Sequence, residues 1–282
     1  MGGENQAVTG MAAGVPYVAW PPARVAPGQA DALIVSWHLN DPPRSAAAMA
    51  AALPLSGVNA WRVYLDLPMH GRRQLPGGLK EFMQLGYQDA VLQAFEPQVT
   101  QAVEEFPAVL AALRGQLPVE GGPLGLVGAS IGALPAQLVM ADHNVRVNAA
   151  ALVSPVIQLA EVVAVNERRF NVTYPWNDTS REVAARFDLV ARAAEIAAGD
   201  PQPALLLVTG AGDDPAFPLQ TQRLHAELQQ LYRDPEHVAV TSIRGMAHGF
   251  AAEPGIEPAP QTDEARLVDT AITDWFNRHL SS

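Results

Sequence analysis

The 282 residues, 49% hydrophobic and 17% charged, suffice for a large buried core, as one α/β domain or two smaller ones, and exclude a disordered chain. A formal net charge of -11, with Lys80 the only lysine, repels phosphate and speaks against nucleic acid or an anionic membrane surface as partner. The absence of cysteine excludes disulfides, thiolate metal sites and a cysteine nucleophile.

The opening "MGGENQAVTG" lacks the basic start and apolar run of a secretory leader, and Gln6 stands where a myristoylation signal needs Ser or Thr. No apolar run approaches the ~20 residues that cross a bilayer, so the expectation is a cytoplasmic protein without a membrane span. "VPYVAWPPARV" reads as short edge strands broken by prolines, and "DALIVSW" (31–37) as a strand covered on both faces. A helix follows in "DPPRSAAAMAAAL", with Asp41 as its N-cap and Pro42 in its first turn. After the strand "AWRVYLDLP", the stretch from Tyr87 to about Leu117 is helical, with Val99, Val103, Phe106, Leu110 and Leu113 on one stripe. Pro107 is expected to bend or divide it.

"PLGLVG", "VNAAALVSPVI", "PALLLVTGAG" and "HVAVTSI" read as further strands. "IGALPAQLVMAD", a segment with Leu224, Leu228 and Leu231 on one face, and "TDEARLVDTAITDWFNRHL" read as helices. Strands alternating with helices predict a mostly parallel twisted sheet of about eight strands, wrapped on both faces. Residues 158–200 break the rhythm, with no strand signal, and are read as a helical cap inserted in a single domain over 1–282. Within this cap Asn171 and Asn177 open glycosylation-like triplets, which carry no weight in an intracellular protein.

In "LGLVGASIGALPAQ" two glycines, Gly128 and Gly132, bracket Ser130 between a buried strand and a helix. Such a serine lies at the carboxyl edge of a parallel sheet, where ligands bind. To project its hydroxyl the chain must turn sharply, and side chains two residues before and after would collide. The turn leaves the Ile131 amide unpaired at a helix start, facing a developing oxyanion. This is the G-x-S-x-G nucleophile elbow.

A serine needs a base, and the base an acid to hold its tautomer. Of seven histidines, His248 in "SIRGMAHGF" follows the last strand in a glycine-flanked loop at the correct edge. His38 and His70 also follow strands but precede the serine, and the remaining four sit on helices or away from that edge. "LLLVTGAGDDPAFP" ends a strand with Asp213 and Asp214 in one turn. Asp213 is taken as the acid and its neighbour as a helix cap, although the chain alone scarcely separates two adjacent carboxylates.

At this point nearly the whole chain resembles the α/β-hydrolase fold family. Ser130, Asp213 and His248 stand in that family's order, and "YLDLPMHGRR" is similar to its strand-four loop. "GAGDDPAFP" and "AHGF" resemble the acid and histidine loops of the branch holding prolyl oligopeptidase-like peptidases and dienelactone-hydrolase-like esterases. There the acid is commonly the third residue after the loop glycine, which from Gly210 is Asp213. The family often draws its second oxyanion amide from His-Gly-x after the third strand. Here "SWHLNDPP" puts Leu39 in place of the glycine, leaving Leu39 or Asn40 as that donor.

The resemblance implies a serine-dependent carboxylesterase acting on a small-molecule ester of small to medium acyl chain, with no metal and no organic cofactor. Phe170 and Trp176, with Tyr174 and Phe187, are candidates to line the acyl pocket from the cap. The alternatives are a prolyl oligopeptidase-like peptidase or amidase, for which the cap is small, a thioesterase, and a hydrolase-fold protein that binds without turnover.

Overall fold

The computed structural model describes residues 6–23 and 31–280. The first half of the opening stretch, residues 1–5, and the end of the proline-broken stretch, 24–25, lie outside them. Eight strands form the sheet: β1 (Val8–Ala12), β2 (Val15–Trp20), β3 (Ala32–Trp37), β4 (Ala60–Leu65), β5 (Leu124–Ala129), β6 (Ala149–Val153), β7 (Ala204–Gly210) and β8 (Val238–Ile243). Their spatial order is β1-β2-β4-β3-β5-β6-β7-β8. The first two pairings are antiparallel and all others parallel, as expected of the α/β-hydrolase fold.

The helices are α1 (Ala46–Ala52), α2 (Gly78–Asp89), α3 (Glu96–Gln116), α4 (Ala133–Asp142), α5 (Leu159–Phe170), α6 (Asp178–Arg186), α7 (Ala193–Ala197), α8 (Ala216–Leu231) and α9 (Asp263–His279). Alternation along β3 shows how they sandwich the sheet. Leu33, Val35 and Trp37 join the apolar layer of α3, α4 and α8, whereas Ile34 joins that of α1 and α9. Every residue of β5, β6 and β7 is buried, which is why these strands read as unbroken apolar runs.

Three helical expectations need correction. The N-cap of α1 is Ser45, whose Oγ accepts from the Ala48 amide at 3.1 Å, and not Asp41. A proline pushes the residue before it out of the helical region, so Pro43 bars Pro42 from a first turn and the helix starts after both. The second long helix starts at Gly78 instead of Tyr87, and its interruption is not at Pro107, which lies inside an unbroken α3. Pro107 is exposed, so the bond it removes faces the solvent side. The interruption is a π turn over Ala90–Phe95, where Asp89 leaves helical geometry (φ -161°, ψ 98°) and its carboxylate accepts from the Leu92 amide at 2.9 Å. On α8, Leu224 and Leu228 are fully buried but Leu231 is exposed.

Residues 158–200 hold α5, α6 and α7 between β6 and β7. Asn171 ends α5 in the left-handed conformation (φ 53°). Asn177 caps α6, accepting from the Ser180 amide at 2.9 Å while Ser180 Oγ accepts from the Asn177 amide at 3.0 Å. Both triplet asparagines therefore have backbone work at helix ends.

Candidate active site

Ser130 follows β5 directly and opens a single 3₁₀ turn, Ser130–Gly132, before α4. Its φ of 49° is strained for a residue with a side chain and throws the hydroxyl out of the strand. A Cβ on Gly128 would stand 2.5 Å from the Ala133 Cα, and one on Gly132 would stand 2.4 Å from the His38 carbonyl oxygen. Backbone presses on backbone at both positions, so neither neighbour can yield.

The structure brings Ser130, His248 and Asp213 together. Ser130 Oγ lies 2.7 Å from His248 Nε2, and His248 Nδ1 lies 3.0 and 3.2 Å from the two Asp213 oxygens. The Asp213 carboxylate is 1% exposed and the imidazole 20%, so the deeper bond is shielded from water and the outer nitrogen can meet a ligand. The Phe217 ring packs 4.1 Å from the imidazole. The two loops touch along the main chain: a Cβ on Gly210 would stand 2.3 Å from the Met246 oxygen, and the Gly212 amide donates to that oxygen at 2.8 Å. The Asp214 amide donates to Asp213 Oδ1 at 2.7 Å, but its carboxylate stands apart, with Oδ1 accepting from the Ala216 amide at 2.9 Å and lying 3.4 Å from Arg168. Asp41, freed from the role of cap, lines the cleft with a carboxylate oxygen 4.0 Å from His248 Nε2.

Of the oxyanion candidates, Ile131 and Asn40 line the cleft beside Ser130, and Leu39 does not. The Leu39 amide donates to the Pro43 carbonyl at 3.2 Å, and its side chain is fully buried against α1. The turn through the two prolines takes that amide, which corrects the expectation for Leu39. The Leu67 amide donates to His38 Nε2 at 3.1 Å, so the His38 proton is on Nδ1, which donates to the Leu39 carbonyl at 2.6 Å. In a trans peptide the carbonyl oxygen and the next N–H point opposite ways, so the Asn40 N–H faces away from the His38 ring. The Asn40 side chain is held by Gln98 through two reciprocal bonds of 3.0 Å.

His38 and His70 thus lie behind the cleft, with ring centroids 5.8 Å apart. Burial lowers the pKa of both; for His70, with repulsion from His38 second, it falls to about 3. Both are neutral near pH 7. The strand-four loop is knotted on Asp66, whose carboxylate accepts from the Ala46 amide at 2.8 Å and from Arg72 Nε at 3.2 Å.

The cleft above Ser130 has a volume of about 810 Å³, within the range of pockets that enclose small organic ligands. Its walls are α5 on one side and α2 with the π turn on the other. Phe170 and Tyr174 line it, whereas Trp176 and Phe187 do not. Trp176 turns edge-on to Tyr174, centroids 4.8 Å apart, and packs on the core, and Phe187 is 1% exposed. Sequence reasoning missed the α2 wall of Leu79, Met83 and Tyr87. Its signal, apolar residues four apart, lay just ahead of where the helical reading began. Among the described residues no three His, Cys, Asp or Glu side chains gather to hold a metal, and no helix is long and apolar enough to cross a membrane.

No curated protein matches the chain in sequence. Among solved structures, TT1662 from Thermus thermophilus superposes with a TM-score of 0.67 at 17% identity, covering 98% of this chain and 99% of that one. A Pyrococcus furiosus esterase gives a TM-score of 0.54 at 13% identity over 99% of this chain and 94% of its own. A Mycobacterium tuberculosis puromycin-hydrolyzing peptidase gives 0.67 at 15% over 98% of this chain but only 40% of its own. These likenesses are of fold, and the chain corresponds to less than half of that peptidase. In sequence, the model of the prolyl oligopeptidase family matches residues 96–281, well over half of the 282, and spans Ser130, Asp213 and His248. The chain belongs to the prolyl oligopeptidase family of serine hydrolases.

Proposed function

We propose that the chain is a carboxylesterase that cleaves esters of small to medium acyl chain through an acyl-serine intermediate. The observation that carries this reading is the Ser130–His248–Asp213 chain of hydrogen bonds at the floor of a largely apolar cleft. Ser130 Oγ attacks the acyl carbon as its proton passes to His248 Nε2, and Asp213 steadies the imidazolium. The carbonyl electron pair becomes an oxyanion held by the Ile131 and Asn40 amides. Collapse expels the alkoxide, which takes the proton from the imidazolium and leaves as alcohol. Water then attacks the acyl-serine, giving a proton to His248 and releasing the acid, and Ser130 is restored. Residues 158–200 act as the cap that supplies one cleft wall.

A nitrophenyl butyrate should be cleaved with a kcat/KM at least ~10²-fold above that for an aminoacyl nitroanilide, since a largely apolar cleft suits an alkanoyl chain better than a charged aminoacyl group. The reverse order would replace this reading with that of a peptidase. His38 enters as a positioning residue, because its bond to the Leu39 carbonyl fixes the peptide that carries the proposed Asn40 donor. His38→Phe should lower kcat by about 10- to 10²-fold with KM nearly unchanged, less than the 10² to 10³ for outright loss of a donor. Steady-state kinetics on variant protein of unchanged melting temperature would check this.

A further inference from the structure

Five of the twelve large apolar side chains that are exposed among the described residues line this one cleft: Leu79, Met83, Tyr87, Phe170 and Val172. Leu79, Met83 and Tyr87 recur every fourth residue and so form one stripe of α2. Across the mouth, at the end of α5, the Phe170 ring meets Tyr87 edge-on with centroids 6.2 Å apart. The charged groups of the walls away from the serine already have partners. Asp89 accepts from the Tyr174 hydroxyl at 2.5 Å and Glu167 from the Tyr174 amide at 2.7 Å. Arg168 lies 3.4 Å from Asp214, and the Arg169 guanidinium stacks 5.5 Å from the Phe170 ring. Leu79 and Met83 of the stripe stay exposed, whereas Asp89, Glu167 and Arg168 are paired.

We infer that the α2 stripe is the binding track for an unbranched alkanoyl chain, which runs from the acyl carbon at Ser130 along Met83 to the Tyr87–Phe170 bridge. This inference rests on the esterase reading and names its acyl half. A peptide amide laid against the Leu79–Met83–Tyr87 stripe would lose water with only the Tyr87 hydroxyl in the stripe to replace it, a costly burial, whereas methylenes gain by leaving water. Specificity then comes from length. Each methylene that leaves water for the track raises kcat/KM by up to roughly fourfold, until the chain passes the aromatic bridge.

The test is a series of nitrophenyl esters from acetate to octanoate, kept below their micelle-forming concentrations, with wild type, Met83→Gln, Phe170→Gln and, on a distant face, Leu267→Gln. In the wild type the octanoate-to-acetate ratio of kcat/KM should exceed about 10. Met83→Gln and Phe170→Gln should each lower it at least severalfold, and Leu267→Gln should leave it unchanged. A wild-type rate that is flat or falls from acetate onward overturns the track without touching the esterase reading, and it needs no variant to fold. An equal drop in all three variants overturns it too, by tracing the effect to general surface apolarity. Failure to cleave any ester sinks the esterase reading and this inference together.

Discussion

Ser130→Ala is expected to lower kcat for ester cleavage by roughly 10³ to 10⁶. The loss removes one oxygen and little else. Alanine suffers the same strain as serine at φ 49°, Gly128 and Gly132 still admit the tight turn, and the one bond given up is the 2.7 Å contact to His248. Melting temperature should therefore hardly move, and the residual rate reports what the proposed oxyanion amides and the cleft accomplish without a nucleophile. A fluorophosphonate should label the wild type and leave Ser130→Ala unmodified. Wild-type turnover by the purified variant would eliminate Ser130 as nucleophile.

Asp213→Asn should lower kcat by about 10⁴, and Asp214→Asn by less than about threefold. The contrast follows from which group each carboxylate faces. An amide at 213 can present its NH₂ to His248 Nδ1, which then becomes an acceptor and leaves the proton on Nε2, facing Ser130. In that tautomer the imidazole cannot take the serine proton. At 214 the side chain accepts from the Ala216 amide, and an amide oxygen accepts as well. Equal losses at both positions would dissolve this division of labour. Kinetics of the two variants side by side decide it.

How much was legible in the sequence follows from the range of the forces involved. β5, β6 and β7 read clearly because burial on both faces leaves one kind of residue, and the elbow because two close backbone approaches demand glycine. Gly210 likewise marks the place where the acid loop meets the histidine loop. What stayed hidden depends on contacts across the fold. That the Leu39 amide is engaged becomes visible only when the turn through Pro42 and Pro43 brings a carbonyl to it. The π turn has no composition of its own, since Ala90–Phe95 would suit an ordinary helix equally well. Trp176 and Phe170 are alike as residues, and only the packing of Trp176 on Tyr174 withdraws it from the cleft.

The backbone contact between Gly210, Gly212 and Met246 has a mechanical consequence. It makes the joint between imidazole and carboxylate stiff, because both are mounted on loops that leave neighbouring strands and brace each other. The serine is mounted elsewhere, on β5, with its carbonyl tied to the Val156 amide at 3.1 Å. The contact between alcohol and ring lies outside this brace, and in the proposed turnover cycle it is the place where partners separate, admit water and meet again.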